Sequence, residues 1–429
     1  MSIRIKNVDC QFQREPLVRP IGYKGGFMTR IWQVVARLEC DKGFHGMGVG
    51  TQNVLRTDEE VFAMNPESGG NTLMYAVTSY ALSIIRDMTF DNPVELQEKI
   101  FDQVYKYARQ TTNRPALKKS FVLSALSPID AAAWVLYSRR NGFQNFDQMI
   151  MPVYRPAFAN RQCRLASMPV AGLFLSPQEI EQIATETSCH LMKIRLGSPG
   201  SNHEMLRQDI SRLSEIHRLI GNNPSEHTSH GKIAYCIDLN GRYSSLNELN
   251  QLIEHARKIG ALEQIEFFED PFASENMHKI GRLDVRVSAN DSLYTAEDIV
   301  AHMEKGYSVI ALNPSTKTLS MTLKMALEAQ QQGLAVYCAD STSNPLQLGF
   351  SMQVAGRLNP LPELDLQVLE FSGRQYYRNW DVMCSYHPDG KAGWNDPKEG
   401  FFTLNEEFFR SGGGILKDSL HYSNLLLAD

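Results

Sequence analysis

Cysteine is scarce and unpaired by spacing: the seven residues, at positions 10, 40, 163, 189, 236, 338 and 384, form no Cys-x-x-Cys pair. That excludes a disulfide scaffold or a zinc ribbon and leaves reduced, buried thiols in a cytoplasmic protein as the expectation. No apolar run approaches the ~20 residues needed to span a bilayer. The N-terminus, Met1-Ser2-Ile3-Arg4-Ile5-Lys6, lacks the apolar region of a signal peptide, so no membrane partner is expected. Charge of one sign is missing as well. The formal net charge is −5 with no basic stripe, and nucleic-acid binding is not indicated. There is no internal repeat beyond a strand-helix unit and no low-complexity linker. The composition, 43% hydrophobic and 21% charged over 429 residues, is that of a globular chain with room for two domains.

What is present is organised around four short apolar runs that end in polar residues: 191–197, 234–241, 265–271 and 285–292. Apolar runs of this length alternating with helix-like stretches predict buried parallel strands. The β-α-β-α order predicts a parallel barrel whose chemistry sits at the C-terminal rim. Three run ends carry carboxylates: Asp238, Glu269 and Asp291. Their gaps, 31 residues (269 − 238) and 22 residues (291 − 269), suit consecutive strand-helix units of roughly 30 residues each. Three acidic groups without clustered His or Cys suit a hard cation, with Mg²⁺ the first choice.

Before the barrel, residues 3–13 and 31–41 read as strands, and a turn at Asp41-Lys42-Gly43 leads into a glycine-rich strand ending at Gly50. Glycine there is read as supplying turn conformations. Helices are expected at 73–88, 94–110 and 119–140, making an α+β unit distinct from the barrel. The segment 19–27 reads as a mobile loop and 51–66 as a long polar one. The two His of the polar loop 221–231, His227 and His230, read as plain loop residues. Beyond Asp291, strands are expected at 309–314, 335–342 and 366–371.

The words Lys193-Ile194-Arg195, Asp238-Leu239-Asn240, Glu269-Asp270-Pro271 and Ala289-Asn290-Asp291-Ser292 occur in this order and at this spacing. Together they resemble the enolase superfamily in its mandelate racemase/muconate lactonizing enzyme branch. The resemblance implies an α/β fold, a modified (β/α)8 TIM-like barrel with an N-terminal α+β capping domain that the C-terminal segment completes. The implied division is capping domain 1–160, barrel 161–378 and returning segment 379–429. It also implies that 19–27 and 51–66 close over the barrel mouth, that Mg²⁺ is bound, and that the chain forms a homo-oligomer.

The chemistry that a metal held by Asp238, Glu269 and Asp291 supports is removal of the proton α to a carboxylate, with negative charge stabilised as it develops. A Lys or His base with Mg²⁺ is the pattern known for this superfamily. Residues i and i+2 of a strand share a face, so Lys193 and Arg195 both point into the mouth. Arg stays protonated, which leaves Lys193 the base and Arg195 an electrostatic role. The family places a second Lys or a His on the far side. Strand six has Asn313 there, with Lys317 four residues on, and strand seven has Asp340 and no His. Lys317 and Asp340 are the substitutes. Asn240, Asp270, Asn313 and Glu370 are candidates to orient ligands or bind substrate. The leading expectation is dehydration of an acid sugar, a small carboxylate, to a 2-keto-3-deoxy acid. The alternatives are an epimerase, racemase or cycloisomerase of another carboxylate, or a metal-binding barrel without this chemistry.

Overall fold

Two long antiparallel strands, β1 (Ile3–Tyr23) and β2 (Gly26–Cys40), form a ribbon at the start of the chain. The computed structural model describes residues 2–23, 26–281 and 283–427. With β3 (His45–Gln52) and β4 (Thr89–Phe90) the ribbon makes a sheet of order β3-β2-β1-β4. Helices Glu67–Ile85, Pro93–Thr111 and Lys119–Asn141 cover it, close to their expected positions.

Glycine in β3 answers a packing requirement rather than a turn. A Cβ on Gly46 would lie 2.1 Å from Ala132 O, on Gly48 2.3 Å from Ala132 N, and on Gly50 2.4 Å from Pro128 Cδ. Only Gly43 of this hairpin, at φ 77°, uses the left-handed region. The three alternate glycines let helix Lys119–Asn141 lie directly on the strand backbone. By length and composition this helix could cross a membrane, yet it is buried nearly all round as the core helix of the fold.

Both segments expected as loops hold regular secondary structure at their described residues. Residues 51–66 hold the short helices Val54–Thr57 and Glu59–Met64, capped by the Asn53 and Asp58 side chains. Segment 19–27 is the ribbon tip, where Ile21 pairs with Met28 and Gly22 with Phe27. Lys24 and Gly25 of that segment lie outside the described residues. The chain's end returns to this sheet: Arg378 N–H donates to Pro16 O, and Tyr422 of helix Leu420–Leu427 packs on Val35, Met47 and Val49.

The second sheet is parallel and closes on itself. β5 (Arg164–Met168) pairs with β13 (Gln367–Glu370), and β6 (Val170–Ala171) pairs with β7 (Leu191–Arg195). β5 and β6 are one strand interrupted at Pro169, whose missing N–H fits the break. Between them run β8 (Ala234–Asp238), β9 (Ile265–Glu269), β10 (Arg286–Ala289), β11 (Val309–Leu312) and β12 (Ala335–Cys338), neighbour to neighbour. This is an eight-stranded barrel. The short antiparallel β14 (Phe401–Thr403) is added outside β5. Ala166, Met168, Cys236, Phe267, Ala311, Tyr337 and Val368 fill the interior as a cluster separate from the outer core. They define which parity of each strand points inward.

Cap and barrel meet at Asp130. Its carboxylate accepts from Leu319 N at 2.8 Å and Ser320 N at 3.2 Å, capping helix Leu319–Gln331. Burial pushes this carboxyl up to about 6 against those hydrogen bonds.

Candidate active site

Inward parity brings Lys193, Arg195, Asp238, Glu269 and Glu370 to the C-terminal rim. Register sets Arg195 beside Asp238, and Asp238 beside Glu269. Lys193 Nζ lies 2.8 Å from Glu269 Oε1, 3.2 Å from Glu370 Oε2 and 3.4 Å from Asp238 Oδ2. Burial alone would push this ammonium down, but the charges of Glu269, Glu370 and Asp238 outweigh it and hold the group well above the usual lysine range. Lys193 Nζ thus stands as the cation at the centre of three carboxylates.

Every acceptor position of Glu269 is used. Oε1 accepts from Lys193 and from Asn290 Nδ2 at 2.9 Å; Oε2 accepts from Tyr337 OH at 2.6 Å and Cys236 Sγ at 3.5 Å. Burial would raise this carboxyl, but Lys193 with the Tyr337 and Asn290 hydrogen bonds holds it below its usual range. Glu370 differs. Burial pushes it up to about 7 against the Lys193 charge, and its Oε1 is buried with no hydrogen-bond partner. Asp238 is raised by burial, opposed by Lys193.

Asp238 and Glu269 converge on Lys193 Nζ; Asp291 is near enough to push Asp238 up by its charge. Ser288 pairs in register with Glu269 and shares its inward parity, and Asn290, two residues on, reaches Glu269 Oε1 with its Nδ2. Asp291 is exposed and lines a narrow cleft between cap and barrel with Arg56, Lys118 and Lys317. Among the described residues no three His, Cys, Asp or Glu side chains are placed as a metal-binding group. The amide of Asn290 stands beside Glu269, with Nδ2 2.9 Å from Oε1. Sequence reading missed it, although strand alternation counted from Glu269 and its neighbour would have found it.

The remaining candidates divide by what they touch. Lys317 Nζ donates to Asn290 O at 2.6 Å and approaches Asn290 Oδ1 at 3.4 Å; burial pushes it down, opposed by Asp291 and Asp270. Asp270 accepts from the N–H groups of Asn290 at 3.0 Å and Asp291 at 2.9 Å, and so sets the end of β10. Asn240 donates to Leu196 O at 2.7 Å and lines the chamber beside Arg195. Asn313 holds its own loop through Ser341 at 3.1 Å and Ser315 at 2.7 Å. Asp340 has outward parity, and its carboxylate accepts from Ser343 N at 2.9 Å and Ser372 N at 3.2 Å. Tyr337 and Cys236, beneath Glu269, are further site residues that sequence reading did not single out. His227 stands at the opposite end of the barrel, 2.9 Å from Asp365.

The donor set fits a hard divalent cation. Asp238 and Glu269 offer carboxylate oxygens on neighbouring strands, the Lys193 ammonium marks a position where these carboxylates already enclose a cation, and Glu370 keeps an orphaned oxygen nearby.

No family profile and no curated protein matches the sequence. Solved structures do share the fold. A mandelate racemase/muconate lactonizing enzyme from Sorangium cellulosum superposes with TM-score 0.63 at 17% identity, over 96% of this chain and 98% of its own. A dipeptide epimerase from Enterococcus faecalis, complexed with Mg and L-Leu-L-Tyr, gives 0.62 at 15% identity, over 88% and 92%. The muconate lactonizing enzyme of Pseudomonas fluorescens, complexed with muconolactone, gives 0.63 at 15% identity, over 94% of each chain.

Proposed function

We propose that this chain, whose fold is that of the enolase superfamily in its mandelate racemase/muconate lactonizing branch, removes and returns the proton α to the carboxylate of a small substrate. One observation carries the reading: Lys193, Asp238, Glu269 and Glu370 form a single buried charge cluster at the barrel's C-terminal rim, with the Arg195 guanidinium beside it. The superposed structures named as an epimerase and a lactonizing enzyme support it.

Asp238, Glu269 and Asn290 would hold Mg²⁺, with Asp291 the alternative third group that the sequence words imply. When bound, that ion supplies Lewis-acid stabilisation of the charge that develops on the substrate carboxylate. Arg195, 6% exposed and with Nε 3.4 Å from Asp238 Oδ2, binds a carboxylate oxygen through its remaining N–H groups and stays protonated throughout. Lys193 holds Asp238 and Glu269 in place as an ammonium, so the base role passes to Lys317. Its Nζ reaches the site from the opposite side through Asn290, and its burial favours the neutral amine.

Dehydration of an acid sugar requires a further acid to protonate the departing hydroxyl. Asp340 is already engaged by two backbone N–H groups, so return of the proton is the better supported outcome. The test is proton NMR in D₂O with Mg²⁺ across a carboxylate library that includes acid sugars. Deuterium at Cα without mass loss, abolished in Lys317→Ala, is expected. Keto-acid formation would establish dehydration instead. Exchange that survives Lys317→Ala would return the base role to another group.

A further inference from the structure

A chamber of about 360 Å³ opens beside the charge cluster, between the ribbon tip and the barrel loop that follows β6. Phe27 from the ribbon and Phe174 and Pro199 from the barrel form its walls; Arg195 and Arg242 are its charged groups, and among the described residues no carboxylate lines it. Phe27 and Phe174 are 53% and 60% exposed, with ring centroids 5.7 Å apart across the opening. Apolar surface left uncovered inside one concavity marks a contact site.

The backbone is shaped to hold the two rings together. A Cβ on Gly22 would stand 2.4 Å from the Phe174 ring and 2.8 Å from the Phe27 ring, so the glycine gives both rings room against the ribbon tip. The buried Arg195 forms the chamber floor, with its Nε 3.4 Å from Asp238 Oδ2. The volume is ample, since an apolar cavity of about 150 Å³ already takes a benzene ring. A polyhydroxylated arm would instead set hydroxyls against aromatic faces that cannot pair with them. The Arg242 guanidinium at the rim, with no carboxylate among the described lining residues, favours an anion there.

We propose that this chamber binds the apolar, ring-sized arm of the substrate against the exposed surfaces of the contacting Phe27 and Phe174 rings, and that Arg242 selects arms ending in a second acidic group. The inference rests on the proton-abstraction reading only for placing the reacting carboxylate at Arg195. The substrate class is thus an apolar-armed mono- or dicarboxylate rather than a sugar acid.

Calorimetric binding of 3-phenylpropionate, benzylsuccinate and gluconate tests this on the full chain with Mg²⁺. The same ligands are measured with Phe174→Ala, Phe27→Ala and Arg242→Gln, all at exposed positions where truncation leaves the fold intact. The ring acids are expected to bind at least about tenfold more tightly than gluconate, and each ring truncation to weaken them by about tenfold. Arg242→Gln is expected to remove the preference for benzylsuccinate over 3-phenylpropionate without weakening the latter. Gluconate binding as tightly as the ring acids, no binding of either ring acid, or affinities unmoved by both truncations would each overturn the proposal. α-Proton exchange, read on the same samples, separates the two readings. Ring binding without exchange supports the chamber and counts against the chemistry, whereas exchange on gluconate without ring binding does the reverse.

Discussion

Lys193 Nζ and Glu269 Oε1 are 2.8 Å apart, and both side chains are almost wholly out of water. The pair sits within an excess of acid, because Asp238 and Glu370 face the same ammonium. Removing the cation from such a group costs more than the pair itself is worth, since the carboxylates are left buried and unpaired.

Lys193→Met is therefore expected to lose about 3–5 kcal/mol of unfolding free energy near neutral pH. Millimolar Mg²⁺ is expected to restore part of the loss by entering the vacated centre. Urea unfolding with and without Mg²⁺ reads both effects. A variant as stable as the parent would show that the cluster does not depend on this ammonium.

Asn290, not Asp291, stands beside Glu269. Mn²⁺ affinity, followed by electron paramagnetic resonance, is expected to fall by about 10–100-fold in Asn290→Ala. Asp291→Asn is expected to change it far less. The reverse order would return Asp291 to the metal site and mean that the end of β10 rearranges when the ion binds.

Asp130 supplies a pH signature away from the charge cluster. Its carboxyl stands at about 6 in the folded chain against an ordinary 3.8, so the native state holds this proton more tightly than the unfolded one. Its contribution to stability falls as pH rises between those values and is constant above. The full swing is about 2–3 kcal/mol. Asp130→Asn keeps an acceptor for the helix N-terminus and removes the titration, so the wild-type-minus-variant difference is expected to slope between pH 4 and 6 and to be flat from 7 to 8. Parallel profiles would mean that the carboxyl titrates normally.

Gly48→Ala is a test of the cap. The added Cβ meets Ala132 N and Pro128 O at 2.3 Å, backbone atoms that cannot swing aside. A loss of about 1–3 kcal/mol is expected from overpacking. Thermal unfolding that is unchanged would mean that the helix sits further from β3.

The sequence by itself determined the barrel and much of its rim. Apolar runs such as 265–269 are legible because a strand buried on both faces carries no polar alternation. Lys193, Arg195, Asp238 and Glu269 end those runs, and the barrel geometry puts run ends at one face. Local reading could not settle roles that depend on partners. The β3 glycines read as turn residues until helix Lys119–Asn141 is seen on the strand. Segment 51–66 reads as a polar loop, although the Asn53 and Asp58 caps made its short helices legible in principle. Asp291 reads as the third acidic group from the run ends, whereas inward parity, set by pairing with β9, puts the Asn290 amide beside Glu269. Lys193 reads as a base until three carboxylates from three other strands close around its ammonium and hold its proton. Phe27, Phe174 and Arg242 carry no local signal at all. They come from segments far apart in sequence, and only the closing of the ribbon over the barrel brings two rings and two guanidinium groups around one chamber.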